Sequence, residues 1–211
     1  MSKAETKAKT TKEYIEEQIA GLSRNPECGT THYNLAIGLI SEGKWDEAKE
    51  ELIAAIESCP TLGEAYVALG GIYMRQGDLD ACIGFNLKAI EARPKFAQAY
   101  GNVGFAYVQR GEVDEAIPML KKAVSINPKF IQAHSTLASA YYMQGRQDDA
   151  IAAAKKALEL DPKFAVAHNN LALAYFEKGH YQLAVEHCDK AVKYGFDVQP
   201  TFLKLLEPYR K

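Results

Sequence analysis

Residues able to bind metal or act as nucleophiles are few in this chain. Its 211 residues include five histidines, His32, His134, His168, His180 and His187, and four cysteines, Cys28, Cys59, Cys82 and Cys188. Imidazole and thiolate are the common ligands of zinc and related metals. His180 and His187 stand seven apart with Cys188 next to them, so a metal site is conceivable there. No carboxylate or second cysteine completes a ligand set, and no CxxC spacing occurs, so packing is the reading adopted. His32, His134 and His168 fall in one phase with Tyr66 and Tyr100. A catalytic group stands once, whereas these recur with aromatic substitutes, which is how a packing position behaves. HExxH, GxSxG, P-loop, GxGxxG and EF-hand spacings are absent from the sequence. No enzyme activity, cofactor or metal is expected.

The elements that carry these residues repeat. Gly43, Gly77, Gly111, Gly145 and Gly179 are spaced 34 residues apart, as are Pro26, Pro60, Pro94, Pro128 and Pro162, and Ala55, Ala89, Ala123, Ala157 and Ala191. Three residue types in one phase define a 34-residue unit. Counting position 1 at Gly29, apolar residues recur at steps of three and four in two blocks per unit. In the third unit these are Tyr100, Val103, Gly104 and Tyr107, then Ala116, Leu120, Ala123 and Val124. Each block is the apolar stripe of a helix. The glycine between blocks suits a left-handed residue that ends helix A. The proline after the second block falls where a missing N–H does no harm. Small residues at positions 8, 20 and 27 predict close helix contact, with larger ones at 7 and 11 filling the space beside them.

With these positions read, the chain resembles the tetratricopeptide repeat (TPR) family. The resemblance rests on a large residue at position 4, Leu-Gly-like pairs at 7 and 8, Tyr at 11, Gly at 15, Ala at 20 and 27, and Pro at 32. It covers five units, residues 29 to 196, with Leu39 in place of the usual Tyr and Phe196 in place of the last proline. It implies an all-α fold, a right-handed α-solenoid of five helix–turn–helix repeats. A half-repeat helix is expected over 11–26, repeats over 27–196 and a capping helix over 197–211, with residues 1–10 a disordered tail.

The resemblance also implies a concave groove lined by positions 2, 5, 6, 9, 12 and 13 of the A helices. On these positions the candidate ligand contacts are Tyr33, Asn34, Ile37, Met74, Arg75, Asn102, Phe105, Tyr142, Met143, Asn169, Asn170 and Phe176. The row is apolar, aromatic and nearly uncharged, which suits an apolar or amphipathic segment of a partner. Asn34, Asn102 and Asn170 share position 6, where a carboxamide can donate to and accept from a peptide backbone. Two readings of the asparagines stay open, ligand contact and simple repeat consensus. The apolar row likewise has a second reading, in which neighbouring A helices or the N-terminal helix cover it. Arg75 is the only basic residue in the set, so the Lys/Asn/Arg clamp for acidic chaperone tails is not expected.

Composition sets the outer bounds. Hydrophobic residues are 47%, charged residues 25% and the net charge −2, a profile without pull toward nucleic acid or membranes. No run of 18 apolar residues and no apolar leader is present, and the cysteines read as reduced, which together suggest a cytoplasmic protein. The expected partner is a protein or peptide, with no nucleic acid and no membrane insertion. The competing reading is a self-assembling scaffold, a homo-oligomer formed through the ends or the convex face, because the first repeat is acidic and later repeats carry lysine ladders.

Overall fold

The computed structural model describes residues 10–210. Among these residues every regular element is helical. The fold is all-α and of the solenoid class, built from paired helices at the expected 34-residue step. It divides into two compact units, residues 1–94 and 95–211. The expected tail over 1–10 lies, apart from Thr10, outside the described residues.

The first unit contains α1 (Thr11–Arg24), α2 (Gly29–Ser41), α3 (Trp45–Ser58), α4 (Gly63–Gln76) and α5 (Leu79–Ala92). Thr10 starts α1 with a capping box: its hydroxyl accepts from the Glu13 N–H, and the Glu13 carboxylate accepts from the Thr10 N–H. Helix α1 packs on α2. Its Ile15 fills the space over Gly38, where a Cβ would come within 2.7 Å. The equivalent positions further along, Ile72 in this unit among them, are also buried. Helix α1 therefore covers α2 in the way a preceding helix B would. Helices α2–α3 and α4–α5 are antiparallel hairpins around Leu35, Leu39, Leu52, Leu69 and Ile72.

The second unit contains α6 (Ala97–Arg110), α7 (Val113–Ile126), α8 (Ile131–Met143), α9 (Gln147–Leu160), α10 (Ala165–Glu177), α11 (Tyr181–Lys193) and α12 (Pro200–Leu206), then a 3-10 turn over Glu207–Tyr209. Its hairpins are α6–α7, α8–α9 and α10–α11. The A helices also touch one another directly, α6 with α8 and α8 with α10. Leu120, Leu137, Leu171, Phe202 and Leu206 join one core, so α12 continues the packing beyond the last repeat.

Helix ends follow the two punctuators. Gly111 has φ 78° and Gly145 φ 72°, in the left-handed region that ends helix A without a Cβ clash. Helix B ends differently: Asn127 (φ −126°) and Asp161 (φ −137°) are extended because each precedes a proline. The small residues at position 8 are demanded by sterics. A Cβ on Gly104 would lie 2.8 Å from a Leu120 methyl and 3.3 Å from the Ala116 carbonyl oxygen. A Cβ on Gly70 would run into the amide of Asn86, which is fully buried and donates to the Cys82 carbonyl at 2.8 Å.

Candidate functional site

In the second unit, contact between α6, α8 and α10 sets their equivalent positions side by side. Positions 9 and 13 are one helical turn apart and share a face. Phe105 on α6 and Met143 on α8 are large apolar side chains that stay 37% and 49% exposed there. Tyr142, one residue before Met143, is half-buried. Burial raises its phenol pKa, and the charge of the Glu177 carboxylate and a hydrogen bond to it add to the effect. A cleft of about 400 Å³ opens near Asn102, lined with it by Gln98, Asn127, Phe130 and Gln132. Four carboxamides and one ring make this a neutral surface that can donate and accept hydrogen bonds.

Two expected contacts in this unit are engaged by the chain itself. Asn170 is buried, with its amide donating to the Ser135 carbonyl at 2.9 Å while its own oxygen lies 3.3 Å from the Ser139 hydroxyl. It ties α10 to α8. Phe176 is half-buried among rings of the C-terminal segment, 5.5 Å from Phe202 and 6.3 Å from Tyr209 between centroids. Asn169 is half-buried. Its row, position 5, is largely covered: Ser135 is buried, and the Phe130 ring lies where a Cβ on Gly101 would be.

In the first unit Ile37 is 36% exposed, and Tyr33, Asn34 and Met74 are half-buried. Burial raises the Tyr33 pKa, with the Glu64 charge adding to it. The Arg75 guanidinium lies over the Trp45 ring at 4.4 Å, a cation–π contact. Its charge is thus spent on covering an aromatic ring of the neighbouring hairpin.

The histidines pair in a way that inspection of sequence neighbours missed. Position 4 faces position 23, nineteen residues on. His32 Nδ1 lies 2.6 Å from a Glu51 carboxylate oxygen, and His168 Nδ1 lies 2.9 Å from His187 Nδ1. In each case Nε2 lies near the carbonyl oxygen of the proline six residues earlier, Pro26 or Pro162. Both pairs share a sequence spacing of 19 residues. The thiols are free, and burial pushes Cys82 up to about 11 and raises Cys188 as well. Among the described residues no group of three or more His, Cys, Asp or Glu is arranged to hold a metal. No helix of the described residues is long and apolar enough to cross a membrane.

The family model for the Cilia and flagella-associated protein 70 C-terminal domain matches residues 6–207. No curated protein matches the chain. Among solved structures, YrrB, described as a TPR protein with an unusual peptide-binding site, is similar with a TM-score of 0.74 and 22% identity, over 92% of this chain and 99% of that one. MamA is similar with a TM-score of 0.67 and 28% identity, over 76% and 94%. PilF of Pseudomonas aeruginosa has a TM-score of 0.74 and 18% identity, over 87% and 86%. At their identities, YrrB and PilF speak for the fold alone.

Proposed function

Since the chain belongs to the family of the Cilia and flagella-associated protein 70 C-terminal domain, a TPR family, we propose that it is a non-enzymatic interaction module that holds a peptide or amphipathic helix of a partner protein. The observation that carries this reading is the exposure of Phe105 and Met143 on adjacent A helices of the second unit. Exposed large apolar side chains grouped on one face of a folded protein usually mark a contact surface. Tyr142 adds an aromatic ring beside them, and the carboxamide cleft at Asn102 offers hydrogen bonds to a ligand backbone. Asn169 is a further candidate contact on α10, Asn170 ties α10 to α8, and Phe176 packs at the C-terminal end. In the first unit Ile37 is exposed on α2, and Tyr33, Asn34, Met74 and Arg75 are further candidate contacts on α2 and α4. A nearly uncharged face favours an apolar or amphipathic ligand over an acidic tail.

The test is an affinity capture from native lysate with the wild type beside a Phe105→Ala/Tyr142→Ala variant, followed by titration of each captured partner. Truncating a central aromatic anchor should cost ~2 kcal/mol or more, about thirtyfold in Kd. Partners retained at unchanged affinity by the folded double variant would overturn the proposal. Light scattering across concentration and salt reports the competing outcome, self-association.

A further inference from the structure

The C-terminal repeat contains a partly buried contact that the interaction reading does not use. His168 of α10 and His187 of α11 approach Nδ1 to Nδ1 at 2.9 Å. His168 Nε2 is 3.1 Å from the Pro162 carbonyl oxygen. A carbonyl only accepts, so Nε2 carries the proton, and the Nδ1 of a neutral His168 must accept. The contact then forms when His187 donates from its own Nδ1. One proton fills the gap and both rings are neutral. A doubly charged pair would set two N–H donors against each other.

The surroundings oppose even a single charge. On α11, Lys190 stands near both rings, and the one adjacent carboxylate, Glu186, is already 2.6 Å from the Lys190 ammonium. From α9, Lys155 lies over the Tyr175 ring at 5.9 Å and also acts on His187. Tyr175 of α10 stacks on His187 at 5.7 Å and has His180 against its edge. Tyr194, which caps α11, lies against His168 at 5.5 Å with the rings tilted by 34° and has the Lys193 ammonium 5.9 Å from its ring. Burial, then the charges of His168 and Lys190, bring His187 down to about 4, and burial lowers His168 too. The equivalent pair in the first repeat is built the other way, with the Glu51 carboxylate accepting a hydrogen bond from His32.

We propose that the His168–His187 contact is a pH-sensitive latch, closing the α10–α11 hairpin while both rings are neutral and losing ground as pH falls. The opened hairpin lets both imidazoles take up protons, whereas the closed one sets two charged N–H donors against each other. The C-terminal segment goes with it, because Phe202 and Tyr209 pack on Phe176 of α10 and Arg210 pairs with Asp189 of α11 at 2.7 Å. The sign follows from the depressed imidazole pKa. The latch is at full strength above the ordinary histidine value of ~6.5 and weakens as pH falls from there toward the folded value of about 4. Acid would then uncover the aromatic end of the second unit, a surface separate from Phe105 and Met143.

Hydrogen exchange on the whole chain at about pH 7.5 and pH 5, corrected for the intrinsic pH dependence of exchange, tests this. Protection of α10–α12 should fall about tenfold or more at the lower pH, while that of α6 and α7 changes far less. In His187→Gln the acid loss should shrink several-fold, leaving only the part that His168 contributes. In His187→Glu, which copies the His32–Glu51 arrangement, its sign should reverse. Equal protection of α10–α12 at both pH values would overturn the latch, and so would an equal loss in His187→Gln. Should the variants fail to fold, histidine NMR titration of the wild type decides alone. A folded-state His187 midpoint well below 6.5 supports the proposal, and a midpoint at the ordinary value overturns it.

Discussion

Equivalent repeat positions give one residue type different tasks. Asn170 ties two helices together, while Asn102 lines an open cleft. His168 meets another imidazole, whereas His32 meets a carboxylate. For His32, burial pulls the pKa down, but the Glu51 hydrogen bond, the Pro26 carbonyl and the Glu51 charge outweigh it, so the net shift is upward. Its stabilisation is complete below the ordinary histidine pKa and fades as pH rises through the raised one. Glu51→Gln should lower the His32 midpoint in an NMR titration, and an unmoved midpoint would show that the carboxylate does not govern the ring. Glycine gives an equally sharp contrast. Gly104→Ala puts a Cβ into Leu120 and should destabilise by ~1–3 kcal/mol, despite the better helix propensity of alanine. Gly84 faces open space in α5, so Gly84→Ala should stabilise by ~0.5–1 kcal/mol. Denaturant melts of the two variants should shift in opposite directions.

The helix ends carry the repeat. Gly145 has φ 72° with nothing within 4 Å of where a Cβ would stand, so the strain of a substitution there is purely conformational. Gly145→Val should cost ~1–2 kcal/mol, read as a lower melting temperature. The fifth repeat departs from the pattern in an intelligible way. It lacks the proline, and α11 stops instead at Gly195 with φ 91°, where the Phe196 N–H donates to the Ala191 carbonyl at 2.9 Å. This is the glycine stop of an A helix used on a B helix. The missing proline thus marks a change of stop, and it turns the chain toward α12.

For the molecule as a whole, a repeat array gains stability from each neighbour contact and must cover its last face. In the second unit Val198 and the α12 residues Phe202 and Leu206 do this, all buried. Truncation after Phe196 removes these side chains at ~1.5–3 kcal/mol each and should lower the thermal midpoint of the second unit markedly. A truncated chain melting like the full one would mean that α12 is not a structural cap. On the proposed reading, recognition would be spread over neighbouring A helices of the second unit, which is why the double variant at Phe105 and Tyr142 is the informative one for binding.

Periodicity alone determined the repeat length, the helix pairs and their stops. Those features depend on local backbone preference and on apolar spacing within a few turns, both of which are written in linear sequence. The resemblance to TPR proteins followed from the same positions. Tertiary structure decided which of the twelve candidate contacts point outward. Asn102 and Asn170 hold the same repeat position, and their surroundings differ: Ser135 and Ser139 of α8 bind Asn170, whereas Asn102 lines a cleft with Gln98, Asn127, Phe130 and Gln132. The His168–Pro162 and His168–His187 contacts were likewise out of reach of a scan for neighbouring ligands. Hydrogen bonding depends on partners delivered by folding, residue against residue across a hairpin, and a list of side chains does not contain that proximity.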